Sequence, residues 1–292
     1  MHSLPPHVRA VIEDKLGAAR SVRAVGGGDV SSAARIETLA GRVFAKWGRG
    51  AAGQTYAAEA DGLAALRALA SDELVVPEPI AVANSTGEMP GWLVLEWIEP
   101  GHATEADWKR FGRALAQLHQ REAPGEGAYG WAEDNWIGSK PQRNGWVADW
   151  PTFFGQQRLL AQAETVRQRG AWNAAWDRPL NALMNRLPDI LPAHPHPALL
   201  HGDLWAGNAL ATADGRFALI DPAVHVGHAE SDIAMTELFG GFASAFYAGY
   251  REVAGPRDAD QIEIYQLFHL INHLTHGPGY AGAVARSLSR WP

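Results

Sequence analysis

The stretch His201-Gly202-Asp203-Leu204-Trp205-Ala206-Gly207-Asn208, answered downstream by Ile220-Asp221-Pro222-Ala223, decides how this chain is read. Two carboxylates and an amide stand at fixed spacings: Asn208 follows Asp203 by five residues and Asp221 follows it by eighteen. Phosphoryl transfer from ATP asks for such a set. It needs a group to take the hydroxyl proton of the acceptor, and oxygen ligands for the magnesium ion that neutralises the phosphates. The apolar run Ala218-Leu219-Ile220 predicts a short buried strand that delivers Asp221, and Asp214-Gly215 before it predicts a hairpin turn. A bare D-x4-N pair also occurs in ordinary loops and turns. The His-Gly ahead of it, Asp221 behind it and a lysine-bearing strand upstream point to chemistry.

That upstream strand is Arg42-Val43-Phe44-Ala45-Lys46-Trp47, with one lysine among apolar neighbours. Thirteen residues on, Glu59 lies in the helical stretch Tyr56 to Leu66. A strand lysine paired to a helix glutamate is how kinase-like lobes hold the phosphates of ATP; a solvated edge lysine and a surface glutamate are the plain alternatives. Before the strand, Val25-Gly26-Gly27-Gly28-Asp29 followed by an alternating segment predicts a strand-loop-strand hairpin. Gly27 and Gly28 would let backbone N–H groups approach a phosphate. The stretch is neither a Walker loop nor a G-x-G-x-x-G opening a helix, and read alone it is a plain turn. Leu74 to Val82 and Trp92 to Ile98 read as two further strands. The second ends where kinase-like folds pass from the small to the large lobe, so the backbone of Glu96, Trp97 and Ile98 is the candidate adenine reader. An ordinary central strand would have the same composition.

At 292 residues, with 47% apolar and 20% charged residues, the chain has the size and make-up of a globular enzyme of two lobes. A formal charge of −7 argues against a nucleic-acid surface. Cysteine is absent, which excludes disulfides, thiolate metal sites and a thiol nucleophile. The twelve histidines lack the short paired spacing of a zinc site. No apolar run approaches the length of a membrane span and no export leader is seen, so the expected compartment is the cytoplasm, with no membrane partner. Residues 5 to 20 predict an opening helix, and residues 104 to 119 another, which His119 is expected to close. The aromatics Trp131, Trp136, Trp146, Trp150, Phe153 and Phe154 read as packing first and as a sugar platform second. Residues 156 to 187 predict helix with a break near Asp177-Arg178-Pro179, then a loop from Pro188 to Pro197; Ser231 to Tyr250 and Ala259 to His276 predict core helices.

Taken together, these motifs resemble the fructosamine kinase (ketosamine 3-kinase) family over nearly the whole chain. H-G-D-x4-N is shared with aminoglycoside phosphotransferases and choline kinases. The Leu204-Trp205 inside it, Asp149-Trp150-Pro151-Thr152-Phe153-Phe154, Gly240-Gly241-Phe242, and the blocks Asn135 to Gly138 and Pro141 to Trp146 are more specific. The resemblance implies an α+β, bilobal protein-kinase-like fold, with a small, mainly antiparallel β lobe carrying a helix (residues 1–98, nucleotide-binding) and a larger, mainly helical lobe (residues 99–292, catalytic and substrate-binding). It implies ATP-dependent phosphorylation, with Mg2+, of the 3-hydroxyl of a small-molecule or protein-bound ketosamine. Carried over by position, Asp203 matches the catalytic base, Asn208 and Asp221 the magnesium ligands, Lys46 the phosphate lysine, Glu59 its helix partner, and Glu96 to Ile98 the adenine linker. Trp205 falls where the sugar should sit, and His273 is a further candidate for the substrate side. Several family members carry a cysteine in the Gly-rich loop where this chain has Asp29, so thiol-based control through that loop is not expected. Another small-molecule kinase of the same fold, or a nucleotide-binding scaffold without catalysis, remain as alternatives. The sequence leaves open which sugar is preferred and the oligomeric state.

Overall fold

The computed structural model describes residues 4–26, 31–87, 89–256 and 258–291. The chain opens with helix α1 (Pro6–Leu16), shorter than residues 5 to 20 because Gly17 takes a left-handed φ of +76° and ends it. Strands β1 (Ser21–Ala24), β2 (Ser32–Glu37) and β3 (Arg42–Gly48) follow. Next come the short α2 (Gly50–Gln54), α3 (Tyr56–Leu69), β4 (Leu74–Val75), β5 (Pro79–Ala83) and β6 (Gly91–Glu96). Five of these strands form one antiparallel sheet in the order β1-β2-β3-β6-β5. Side chains alternate across a strand, and β3 shows the consequence. Val43, Ala45 and Trp47 are buried in the cluster that Val8 and Ile12 of α1 also join, which leaves Phe44 and Lys46 for the opposite face.

The remainder is mainly helical. Helix α4 (Glu105–His119) starts on a reciprocal capping box between Thr104 and Asp107. The hairpin β7 (Asn135–Ile137) and β8 (Lys140–Gln142) leads to α5 (Trp150–Phe153), a π-helical stretch Phe154–Leu160, α6 (Ala161–Gln168) and α7 (Asp177–Ile190). The helical break falls between α6 and α7 and ends at Asp177, at the edge of the stretch Asp177-Arg178-Pro179 where it was expected, with Pro179 itself inside α7. That proline sits in the first turn of α7, where its missing N–H costs nothing. Helix α7 also runs through Pro188, which was expected to open a loop; in the last turn a proline removes little of the ladder.

Strands β9 (Pro197–Leu200), β10 (Ala209–Ala211), β11 (Phe217–Leu219) and β12 (His225–His228) carry the central motif. Helices α8 (Glu230–Thr236), α9 (Ser244–Ala254), α10 (Ala259–His273) and α11 (Ala281–Leu288) complete the chain. The single helix expected from Ser231 to Tyr250 is two, because Gly240 and Gly241 take φ of +93° and +74° between them. Helices α4 and α9 cross so closely that a Cβ on Gly112 would lie 2.0 Å from the Phe246 carbonyl oxygen. A Cβ on Gly249 would lie equally close, 2.0 Å, to that of Lys109. Two long-range pairings position the site: β9 pairs antiparallel with β12, and β11 pairs with β10 and, in parallel, with β4. One core cluster runs through both halves, from Leu63, Leu66 and Leu95 to Phe111, Leu115, Phe217 and Val224. This is the α+β arrangement expected from the sequence. Among the described residues no helix is long and apolar enough to cross a membrane.

Candidate active site

Two turns, one after β9 and one after β11, are stitched to each other. The Ala223 N–H donates to the His201 carbonyl (2.8 Å) and the Ile220 N–H to that of Asn208 (3.1 Å). The His201 ring bridges them as well. Its Nε2 donates to the Ile220 carbonyl (2.9 Å), which leaves Nδ1 to accept from the Asp203 N–H (3.3 Å). Burial lowers the pKa of this imidazole and keeps it neutral, as that bonding requires. Gly202 has φ +80°, and a Cβ there would sit 2.0 Å from the Ala223 carbonyl oxygen, so no other residue fits the turn. Asp221 has φ +52°, in the left-handed region that aspartate tolerates better than most.

These turns bring Asp203, Asn208 and Asp221 together. The Asn208 amide donates through Nδ2 to the Asp203 carbonyl (2.8 Å) and, at longer range, to its Oδ2 (3.3 Å). The amide oxygen of Asn208 is left to face elsewhere. The Asp203 carboxyl is pushed up to about 7, first by burial and then by the charges of Asp221 and Asp232, against the Asn208 hydrogen bond and the more distant ammonium of Lys140.

From the sheet, Lys46 reaches down to this hairpin. Its Nζ lies 2.6 Å from Glu59 Oε2 on α3 and 2.5 Å from Asp221 Oδ1. Burial alone would discharge the ammonium, but the two carboxylates outweigh it and raise its pKa. Glu59 is pushed up to about 7, by burial and by the competing Asp221 charge, and its Oε1 is buried without a hydrogen bond. Burial would also raise Asp221; the Lys46 charge and hydrogen bond reverse that and hold it below the usual carboxylate range. The side chain of Asp221 remains 50% exposed.

The other sequence candidates fall around this centre. Trp205 is 40% exposed and its ring lies over Gly207. His273 hydrogen-bonds through Nδ1 to the His269 carbonyl (2.8 Å) and stacks in a partly open ring cluster with Phe239, His276 and Tyr280. The Glu96 N–H donates to the Glu78 carbonyl (3.0 Å), so that donor is not free for an adenine edge. Trp97 carries the Arg35 guanidinium over its ring and donates its indole N–H to Glu99 (3.0 Å). Gly27, Gly28 and Asp29 lie outside the described residues.

Sequence reasoning missed Asp232 on α8. It is 1% exposed and accepts the backbone N–H groups of His201 (2.7 Å) and Gly202 (2.8 Å) on its two oxygens. His119 Nε2 approaches the same carboxylate at 3.3 Å, with its Nδ1 on the Tyr250 hydroxyl (2.9 Å). His119 therefore does more than close α4. It braces the carboxylate that holds the His201-Gly202 turn. Burial would raise the Asp232 pKa, but the hydrogen bond from His119, the two neighbouring imidazoles and the Gly202 N–H keep it below the usual range. The available signal was an acid directly ahead of the apolar run Ile233-Ala234-Met235. Lys140, fully enclosed on β8, was also missed.

The fructosamine kinase family model matches residues 5–291 of this chain. A Synechocystis protein described as a probable ketoamine kinase is 38% identical over 263 residues, covering 88% of this chain and 85% of its own. The chloroplastic protein-ribulosamine 3-kinase of Oryza sativa subsp. indica is 35% identical, over 92% of this chain and 78% of its own. A Thermobifida fusca protein assigned as a fructosamine-3-kinase has a crystal structure that superposes with a TM-score of 0.83 at 30% identity, covering 97% of this chain and 98% of its own. A match along nearly the whole chain, together with relatives above 30% identity over most of it, makes this protein a member of the fructosamine kinase family.

Proposed function

We propose that this protein is an ATP-dependent kinase that phosphorylates the 3-hydroxyl of ketosamines, small or protein-bound, as a step in freeing glycated amines. The observation that carries the reading is the Lys46 ammonium bridging Glu59 and Asp221 beside the Asp203–Asn208 turn. Names of relatives, ketoamine kinase and ribulosamine 3-kinase, support the acceptor class. In this reading residues 1–98 carry the nucleotide and residues 99–292 the acceptor.

Asp203 would orient the acceptor hydroxyl and take its proton during direct, in-line transfer; a carboxyl near 7 is matched to that task at neutral pH. Lys46 would move from Asp221 toward the phosphates while Glu59 keeps its stem in place. The donor set fits magnesium. The Asn208 amide nitrogen is engaged, leaving its oxygen, and Asp221 offers a half-exposed carboxylate, both hard oxygen ligands of the kind magnesium takes. Bound there with ATP, magnesium would neutralise phosphate charge. Trp205 and His273 would border the sugar, and the loop at Gly27 and Gly28 and the backbone of residues 96–98 the nucleotide.

The test is ATP consumption with magnesium on ribulose-, erythrulose- and fructose-lysine adducts, with kanamycin and choline as controls. The expected result is turnover of at least one ketosamine, with the phosphate on O3 by NMR. Turnover of a control alone, or phosphate on another oxygen, would overturn the acceptor assignment.

A further inference from the structure

Lys140 is 1% exposed, and no hydrogen bond or carboxylate ion pair accounts for its charge among the described residues. Its place is set by the β7–β8 hairpin. Ile137 pairs with Lys140 and Asn135 with Gln142, and Asn135, Ile137, Lys140 and Gln142 share the buried face while Pro141 points out. That face is pinned to the segment just past Asp221: Asn135 Nδ2 donates to the Val224 carbonyl (2.7 Å) and Gln142 Nε2 to that of Ala223 (3.0 Å). The hairpin thus holds a cation beside the segment that follows Asp221.

Electrostatics locate the ammonium further. It is attracted by Asp203 without pairing to it, is repelled by Arg169, and in turn disfavours the charged form of His273. Burial, then Arg169, lower its pKa to about 8, still charged for most molecules at neutral pH. A buried cation without a counterion is a standing cost to folding, and such costs concentrate where a ligand completes the site. Packing alone gives no reason for a lysine here, since an aliphatic residue would fill the same space without desolvating a charge.

We propose that Lys140 is a substrate-binding residue: held by the hairpin across a gap from Asp203, its ammonium donates to the acceptor oxygen next to the hydroxyl being phosphorylated. This rests on the kinase reading above and names what that reading left open, the polar contact on the far side of the acceptor. For a ketosamine, that oxygen is the one on C2.

The experiment begins with the wild-type enzyme and the acceptor panel, and whichever acceptor it phosphorylates is carried forward. A wrong acceptor class then shows in the wild type, and a wrong role for Lys140 shows only in the variants. Lys140→Met keeps the length and removes the charge. Expected are a rise of about tenfold to a hundredfold in the acceptor KM, the range for one hydrogen bond from a charged group, a KM for ATP within about twofold, and an equal or higher melting temperature. Lys140→Arg should recover part of the acceptor affinity. Acceptor kinetics within about twofold of wild type in Lys140→Met would overturn the proposal. So would a fall in melting temperature accompanied by parallel loss of ATP and acceptor affinity.

Discussion

Replacing Asp232 by Asn preserves the shape of the side chain and removes its charge, which makes it a sharp probe of how the turn that carries Asp203 is held. In the native protein one oxygen accepts the His201 N–H and the approach of His119, and the other accepts the Gly202 N–H. An amide has one oxygen, so its NH2 must face a backbone N–H or the imidazole N–H, donor against donor. A hydrogen bond to a charged acceptor contributes about 1.5–3 kcal/mol and a stranded buried donor costs about 1–3 kcal/mol, so the substitution should cost about 3–5 kcal/mol. Against a total stability of about 5–15 kcal/mol that is a large share. The assay is urea unfolding followed by tryptophan fluorescence, read as a midpoint shift at constant slope. Because the displaced turn carries Asp203, kcat should also fall, by about a hundredfold for a shift near 1 Å. A loss below 1 kcal/mol with unchanged kcat would refute the idea that Asp232 holds the turn.

Asp203→Asn should retain nucleotide affinity and lose about a hundred- to ten-thousandfold in kcat; more than a tenth of wild-type kcat would remove Asp203 from the role of base. Asp221→Ala should weaken nucleotide binding in the presence of magnesium, and equal affinity by calorimetry would count against its place as a ligand. The base acts as the carboxylate, so with Asp203 at about 7 the kcat/KM profile should fall as pH drops through that value; a profile flat down to pH 5 would exclude it. Gly112→Ala should cost about 1–3 kcal/mol through overpacking against the Phe246 carbonyl, and an unchanged melting temperature would show that α4 and α9 can part.

Much of this was legible because local chemistry and global arrangement agree. The spacing of Asp203, Asn208 and Asp221 is imposed by a short loop and a tight hairpin, so residue count along the chain translates into proximity. Lys46 and Glu59 were readable because one sits in a strand and the other in the helix that packs on it. What escaped depends on distant partners. Asp232 is an ordinary acid until α8 is laid behind β9, and Lys140 is an ordinary hairpin lysine until the hairpin is pressed onto residues 223–224. The break between α8 and α9 was written in Gly240-Gly241, but the apolar pattern on both sides continued and masked it. Pro188 of α7 misled in the opposite direction, since at the end of a helix proline is tolerated.

The parallel pairing of β4 with β11 has a mechanical meaning. The strand that presents Asp221 is a neighbour of one contributed by the first hundred residues, and the core behind it is shared by both halves. The cleft cannot widen by the two halves drifting apart without breaking that seam. A rotation about it, like covers turning on a spine, would leave that pairing intact. Lys46 and Asp221 meet beside it. Unfolding should be shared in the same way, so that damage to the turn behind Asp203 is also felt in the sheet.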